Sequence, residues 1–230
     1  MKKVLQLVSL LLVISMACAL CANPNTFFTN LMNDQFKGKR GLDNICCLPN
    51  VFSLKGYFSQ LAISQNGSSL EETTGFLSAQ ADFISGKLRQ DFSFTDSNGQ
   101  KVSTSNWLFK ISDSSSVSYD LQNDRCTCQE IANVNIWSSI CVPNVGKVTK
   151  GTIGSYVANK VNDEQHGANT QVWIFKEPQM AADKCWLLNT LVIIKNAVQE
   201  TTYLDMTQTV DASGFKVPSQ CPTFDKCLNK

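Results

Sequence analysis

The chain has 230 residues, with 20 Lys+Arg against 19 Asp+Glu and a single histidine, His166. That length suffices for one domain, or at most two small ones, with a buried core, and 43% apolar residues at almost no net charge exclude a disordered chain. The absence of a basic stripe excludes nucleic acid as a partner, and one histidine excludes a His-rich zinc centre.

Residues 1–22 read as a secretory signal. Lys2 and Lys3 precede a nearly continuous apolar run over residues 4–14, and small residues at 17–22 supply a cleavage site after Ala22. The run is shorter than the roughly 20 apolar residues a spanning helix needs, so a membrane anchor is not expected. Residues 23–45 form a polar, mixed leader, in which Phe27, Phe28, Leu31, Met32 and Phe36 could line a short helix and the basic stretch 37–41 reads as a loop. The domain is expected over residues 46–230.

From Cys46 onward the apolar pattern has period two. Residues 51–59 read as a strand, and residues 66–69 as a turn. In 88–95, Leu88, Phe92 and Phe94 share one face while Arg89, Asp91 and Ser93 share the other, the pattern of a half-buried antiparallel strand. Asp96-Ser97-Asn98-Gly99 is a hairpin turn, because Asn-Gly adopts the positive φ that such turns require. Further strands are expected at 106–111, 117–121, 134–137, 153–157, 171–176, 186–195, 201–209 and 215–217, separated by Ser, Asp, Asn, Gly and Pro. Many short strands at this spacing predict an all-β sandwich or open barrel. The segment 186–194 is apolar on both faces, as a central strand or a cavity wall would be. Leu88, Phe92, Phe94, Trp107, Phe109, Leu191 and Ile193 are candidates to line such a cavity or to fill a core.

Cleavage of the signal removes Cys18 and Cys21 and leaves Cys46, Cys47, Cys126, Cys128, Cys141, Cys185, Cys221 and Cys227. An even set in a secreted chain reads as four disulfides, with the pairing open. Asn66-Gly67-Ser68 is a glycosylation sequon at an expected turn. Catalysis is not expected. His166 lies in a polar, turn-like stretch, and no G-x-S-x-G elbow or glycine-rich phosphate loop is present. No D-x-D-x-D-G calcium loop exists, and Asp120, Asp124, Asp163 and Glu164 read as ordinary solvated acids.

Four stretches in order resemble the ependymin family: Cys46-Cys47-Leu48-Pro49 with Phe52-Ser53-Leu54-Lys55-Gly56; Tyr119-Asp120-Leu121-Gln122-Asn123-Asp124-Arg125-Cys126; Val172-Trp173-Ile174 leading to Asp183-Lys184-Cys185; and Phe215-Lys216-Val217-Pro218-Ser219-Gln220-Cys221 with Cys227 beyond. The resemblance covers nearly the whole mature chain. It implies two curved antiparallel sheets forming a LolA-like sandwich or half-barrel around an apolar pocket, like bacterial lipoprotein carriers. It also implies bridges Cys47–Cys185 and Cys126–Cys221. The family's third bridge has no counterpart near residues 101–104, so Cys227 is expected to pair with Cys46 and Cys128 with Cys141; Cys46 and Cys47, or Cys126 and Cys128, could exchange roles. The implied function is that of a secreted or lysosomal glycoprotein that binds lipid or another apolar ligand and calcium, and the resemblance also implies a homodimer. The alternative is a calcium-dependent cell–matrix adhesion protein without a small-molecule ligand.

Overall fold

The computed structural model describes residues 44–63, 70–95, 99–132, 137, 140–143, 147–165, 168–194 and 197–228. Residues 1–43, which hold the expected signal and most of the expected leader, lie outside the described residues, as do the sequon Asn66 and His166.

The described residues form thirteen strands. Eleven of them make one antiparallel sheet: β2 (Val51–Ile63), β3 (Leu70–Asp82), β4 (Lys87–Thr95), β5 (Lys101–Lys110), β6 (Ser115–Gln122), β7 (Arg125–Ala132), β9 (Lys147–Ile153), β10 (Tyr156–Gln165), β11 (Ala168–Phe175), β12 (Trp186–Ile194) and β13 (Ala197–Thr207). The sheet is two meanders, β2 to β7 and β9 to β13, joined where the last strand pairs with the first at β13–β2. It does not close, and β7 and β9 are its edges. The second sheet is the pair β1 (Asn44–Cys47) and β8 (Cys141–Pro143). A 3-10 helix (Ala212–Phe215) and a short helix α1 (Phe224–Leu228) end the chain.

Alternation assigns each strand a face. On β2, Phe52, Leu54, Phe58 and Gln60 are buried, while Lys55, Tyr57 and Leu61 are exposed. Register carries the buried set across the sheet, to Leu77, Ala79 and Ala81 on β3, Leu88, Gln90, Phe92 and Phe94 on β4, Thr201 and Tyr203 on β13, and Val172 on β11. We call this the inner face. One apolar core joins Ile131 at the β7 edge to Val161 on β10. A flat sheet of eleven strands would be about 50 Å wide, and the small β1–β8 sheet and loops could not cover it. The sheet therefore curls so that its two halves shield each other. Trp137 closes part of the interior, stacked edge-on to Phe83 and donating from its indole N–H to the buried Ser116 hydroxyl at 3.0 Å.

Two hairpins show how local chemistry sets the register. The β6–β7 turn is Asn123-Asp124, both at positive φ (48° and 64°), which Asn and Asp tolerate better than most residues. The β9–β10 turn places Gly154 at φ 58°. The strand expected over 153–157 therefore spans this turn: Ile153 ends β9 and Tyr156 begins β10. The segment 215–217 is the end and exit of the 3-10 helix, fixed by Asp211 accepting from the Ser213 N–H. Strands β3, β7 and β9 were not expected from the sequence. Their apolar alternation is weak because β3 is exposed over its first residues and β7 and β9 are edges. Of the segment 134–137, only Trp137 is described, and it lies outside the strands.

Four disulfides tie this fold: Cys46–Cys185, Cys47–Cys141, Cys126–Cys221 and Cys128–Cys227. Cys126–Cys221 is as the resemblance implied. The other three differ from the expected Cys47–Cys185, Cys46–Cys227 and Cys128–Cys141. Cys47 stands opposite Cys141 in the β1–β8 register, and successive strand residues point to opposite sides, so Cys46 turns away from Cys141 to reach Cys185. Cys126 and Cys128, two residues apart, share the outer face of β7, and both therefore bond to the C-terminal segment laid against it. Four such bonds fit an oxidising, extracellular setting. No helix among the described residues is long and apolar enough to cross a membrane.

Candidate binding site on the inner face

The inner face is apolar along its middle and polar in two places. On β2, β13, β12 and β11, one transverse row reads Gln60, Gln199, Val192 and Thr170, and the next reads Phe58, Thr201, Thr190 and Val172. Tyr203 follows on β13, opposite Gly56. On the other half, a row runs from Ala79 through Gln90, Asn106 and Asp120 to Thr127. Between them lie Leu54, Phe58, Leu77, Phe92 and Phe94.

The polar groups are deeply buried: Thr170 and Tyr203 are 3% exposed, Gln60 4%, Gln199 5% and Gln90 6%. The Gln199 amide donates a long bond to the Thr201 hydroxyl at 3.5 Å. Yet Oε1 of Gln60, Gln90 and Gln199 and Oγ1 of Thr170 have no partner among the described residues, while the Tyr203 hydroxyl has the Thr190 hydroxyl beside it. Leaving such a group buried and unpaired costs about 1–3 kcal/mol. Burial raises the Tyr203 hydroxyl above its ordinary pKa, against a smaller lowering by the nearby Thr190 hydroxyl. Burial also raises the Asp120 carboxyl to about 6, and no cation or hydrogen-bond donor among the described residues offsets the shift.

The sequence-derived pocket candidates divide between the two faces. Leu88, Phe92 and Phe94 are on the inner face, in the core beside the polar rows. Trp107 and Phe109 are not: they point outward and belong to a second cluster with Val117, Tyr119, Cys128 and Cys227, under the C-terminal segment. Leu191 and Ile193 also face outward, since Thr190 and Val192 take the inward positions of β12. Gln60, Gln90, Thr170, Gln199 and Tyr203 were missed. Their signal was available, because Gln90 alternates in step with Leu88, Phe92 and Phe94, and Gln60 with Phe52, Leu54 and Phe58.

The outer face carries a groove of about 530 Å³ between Lys55, Phe76, Ser78, Asp91, Ser105 and Leu204. Its two carboxylates are already occupied, Asp205 Oδ2 by Lys55 Nζ at 3.3 Å. Asp91 Oδ1 accepts from the Arg89 guanidinium (3.0 and 2.9 Å) and the Ser105 hydroxyl (2.7 Å), and Oδ2 from the Ser78 hydroxyl (3.1 Å). Arg89 also donates to the Gly214 carbonyl at 2.8 Å and sits over the Trp107 ring, whose N–H reaches the same carbonyl at 3.2 Å. This network holds down the C-terminal segment. Among the described residues, no three His, Cys, Asp or Glu side chains converge as a metal centre would require. Asp120 stands in register between Asn106 and Thr127, so we assign no calcium ligands.

No family model matches the chain, and no curated protein matches it. Among solved structures, it has a likeness to a scytalido-glutamic peptidase with a peptide-based transition-state analogue, at 9% identity and a TM-score of 0.17, covering 71% of this chain and 97% of the other. A likeness so slight carries no argument about fold or chemistry.

Proposed function

We propose that the chain is an ependymin-like secreted protein that binds an apolar small molecule against the inner face of its curved sheet, without catalysing a reaction. The observation that carries this reading is the wall itself. Aromatic and aliphatic side chains are interrupted by a few buried oxygens that the described residues leave unpartnered. Binding sites for small molecules have this composition, mostly apolar lining with a few polar groups that fix orientation. A wall built only to fill a core would carry apolar residues at these positions, because each orphaned oxygen costs stability.

The test is native mass spectrometry of the secreted protein, with solvent extraction of the same sample and titration of an apolar fluorescent reporter. A co-purifying apolar molecule, or saturable reporter uptake at one site per chain, is the expected result. Absence of both would return the inner face to the role of an ordinary core.

A further inference from the structure

We infer that the head of the ligand is an uncharged hydrogen-bond donor, a hydroxyl or an amide N–H on an apolar body, seated on the row Gln60–Gln199–Thr170. This rests on the binding reading above and specifies its ligand class. Gln60 and Gln199 face each other across β2 and β13, and Thr170 stands two strands further along the same row, beyond Val192. All three side chains are at least nine-tenths buried. The unpartnered atoms among them are all oxygens able to accept: two amide carbonyls and one hydroxyl. An occupant that satisfies amide carbonyl oxygens must donate.

Charge narrows the class further. Lys, Arg and His are absent from the buried residues described on this face, so a carboxylate or phosphate head would enter without a counter-ion. Between Gln60 and Gln199 a buried ammonium would meet only neutral oxygens, since the acid of this row, Asp163 on β10, stands in register beyond Thr170, and an unpaired buried charge is expensive. A neutral donor satisfies the acceptors without that cost. Phe58, beside Gln60 on β2, and Val172, beside Thr170 on β11, continue the wall along which the apolar body would lie.

The experiment is displacement of the apolar reporter by two neutral ligands of equal chain length, 1-dodecanol and dodecyl methyl ether. Both have an acceptor oxygen, but only the alcohol donates. For the wild type, the alcohol is expected to bind about tenfold more tightly, the worth of one well-made hydrogen bond. Gln60→Met and Gln199→Met keep the side-chain length and remove the acceptor. Each is expected to shrink the alcohol's advantage at least threefold, with a cooperative thermal unfolding transition close to that of the wild type showing that the variant is folded. Equal affinities of the two ligands for the wild type, or an advantage that survives both substitutions, would overturn the inference but leave apolar binding standing. Failure of the reporter and of both ligands to bind would instead overturn the binding reading itself.

Discussion

Replacing Asp120 with Asn is the sharpest probe of the interior. Asp120 sits on the inner face of β6, between Asn106 on β5 and Thr127 on β7, and burial raises its carboxyl from the ordinary 3.8 to about 6. The folded state therefore holds the proton more tightly than the unfolded chain. The stabilisation this gives is complete below pH 3.8 and is lost as pH rises through 6, where the buried group ionises without a partner. At 1.36 kcal/mol per pKa unit, the gap corresponds to about 3 kcal/mol at pH 7.5, a ceiling because the side chain keeps some contact with solvent. Asn resembles the protonated acid and does not titrate. Asp120→Asn should match the wild type near pH 4 and exceed it by up to ~3 kcal/mol at pH 7.5. For a chain of this size that is roughly 6–12 °C in Tm. Thermal unfolding followed by near-UV circular dichroism from pH 4 to 8, with the disulfides intact, reads the difference directly. A wild-type-to-variant gap independent of pH would refute the burial argument.

The other predictions concern how the sheet and its C-terminal cover hold together. Gly75→Ala would place a Cβ 2.5 Å from the Ser93 carbonyl oxygen and 2.8 Å from the Phe58 ring; it should cost about 1–3 kcal/mol in urea unfolding, and an unchanged midpoint would mean that β3 and β4 lie further apart. Removing both outer bridges with Cys221→Ser and Cys227→Ser should free the C-terminal segment, so that trypsin cuts at Lys216 or Lys226 before any site in the sheet; simultaneous cleavage throughout the sheet would contradict this. Trp107→Phe removes one donor to the Gly214 carbonyl, which still accepts from Arg89. The expected loss is only about 1 kcal/mol, and a loss several times larger would show that the indole does more than make this bond. Partial reduction followed by peptide mapping should recover Cys46 joined to Cys185 and Cys47 to Cys141.

Period-two alternation marked β2, β4, β6, β11 and β13, because one face of each is buried and the other is wetter, and a run apolar on both faces marked β12. The paired cysteines were likewise expected from an even count in a chain whose first residues read as a secretory signal. Weak alternation hid β3 and the edge strands β7 and β9, whose stability comes from neighbours distant in sequence. Partners were decided in three dimensions. Alternation shows that Leu88 and Trp107 belong to faces, but not that pairing of β4 with β5 puts those faces on opposite sides of the sheet, or that the C-terminal segment covers Trp107. The same holds for the cysteines: residues 46 and 47 look interchangeable until β8 pairs with β1 and the pleat sends them to opposite sides. The inward glutamines were visible as polar residues in apolar register, but only the curl of the sheet buries Gln60 and Gln199. Local chemistry sets which side of a strand each residue faces, whereas long-range pairing and curvature set what that side meets.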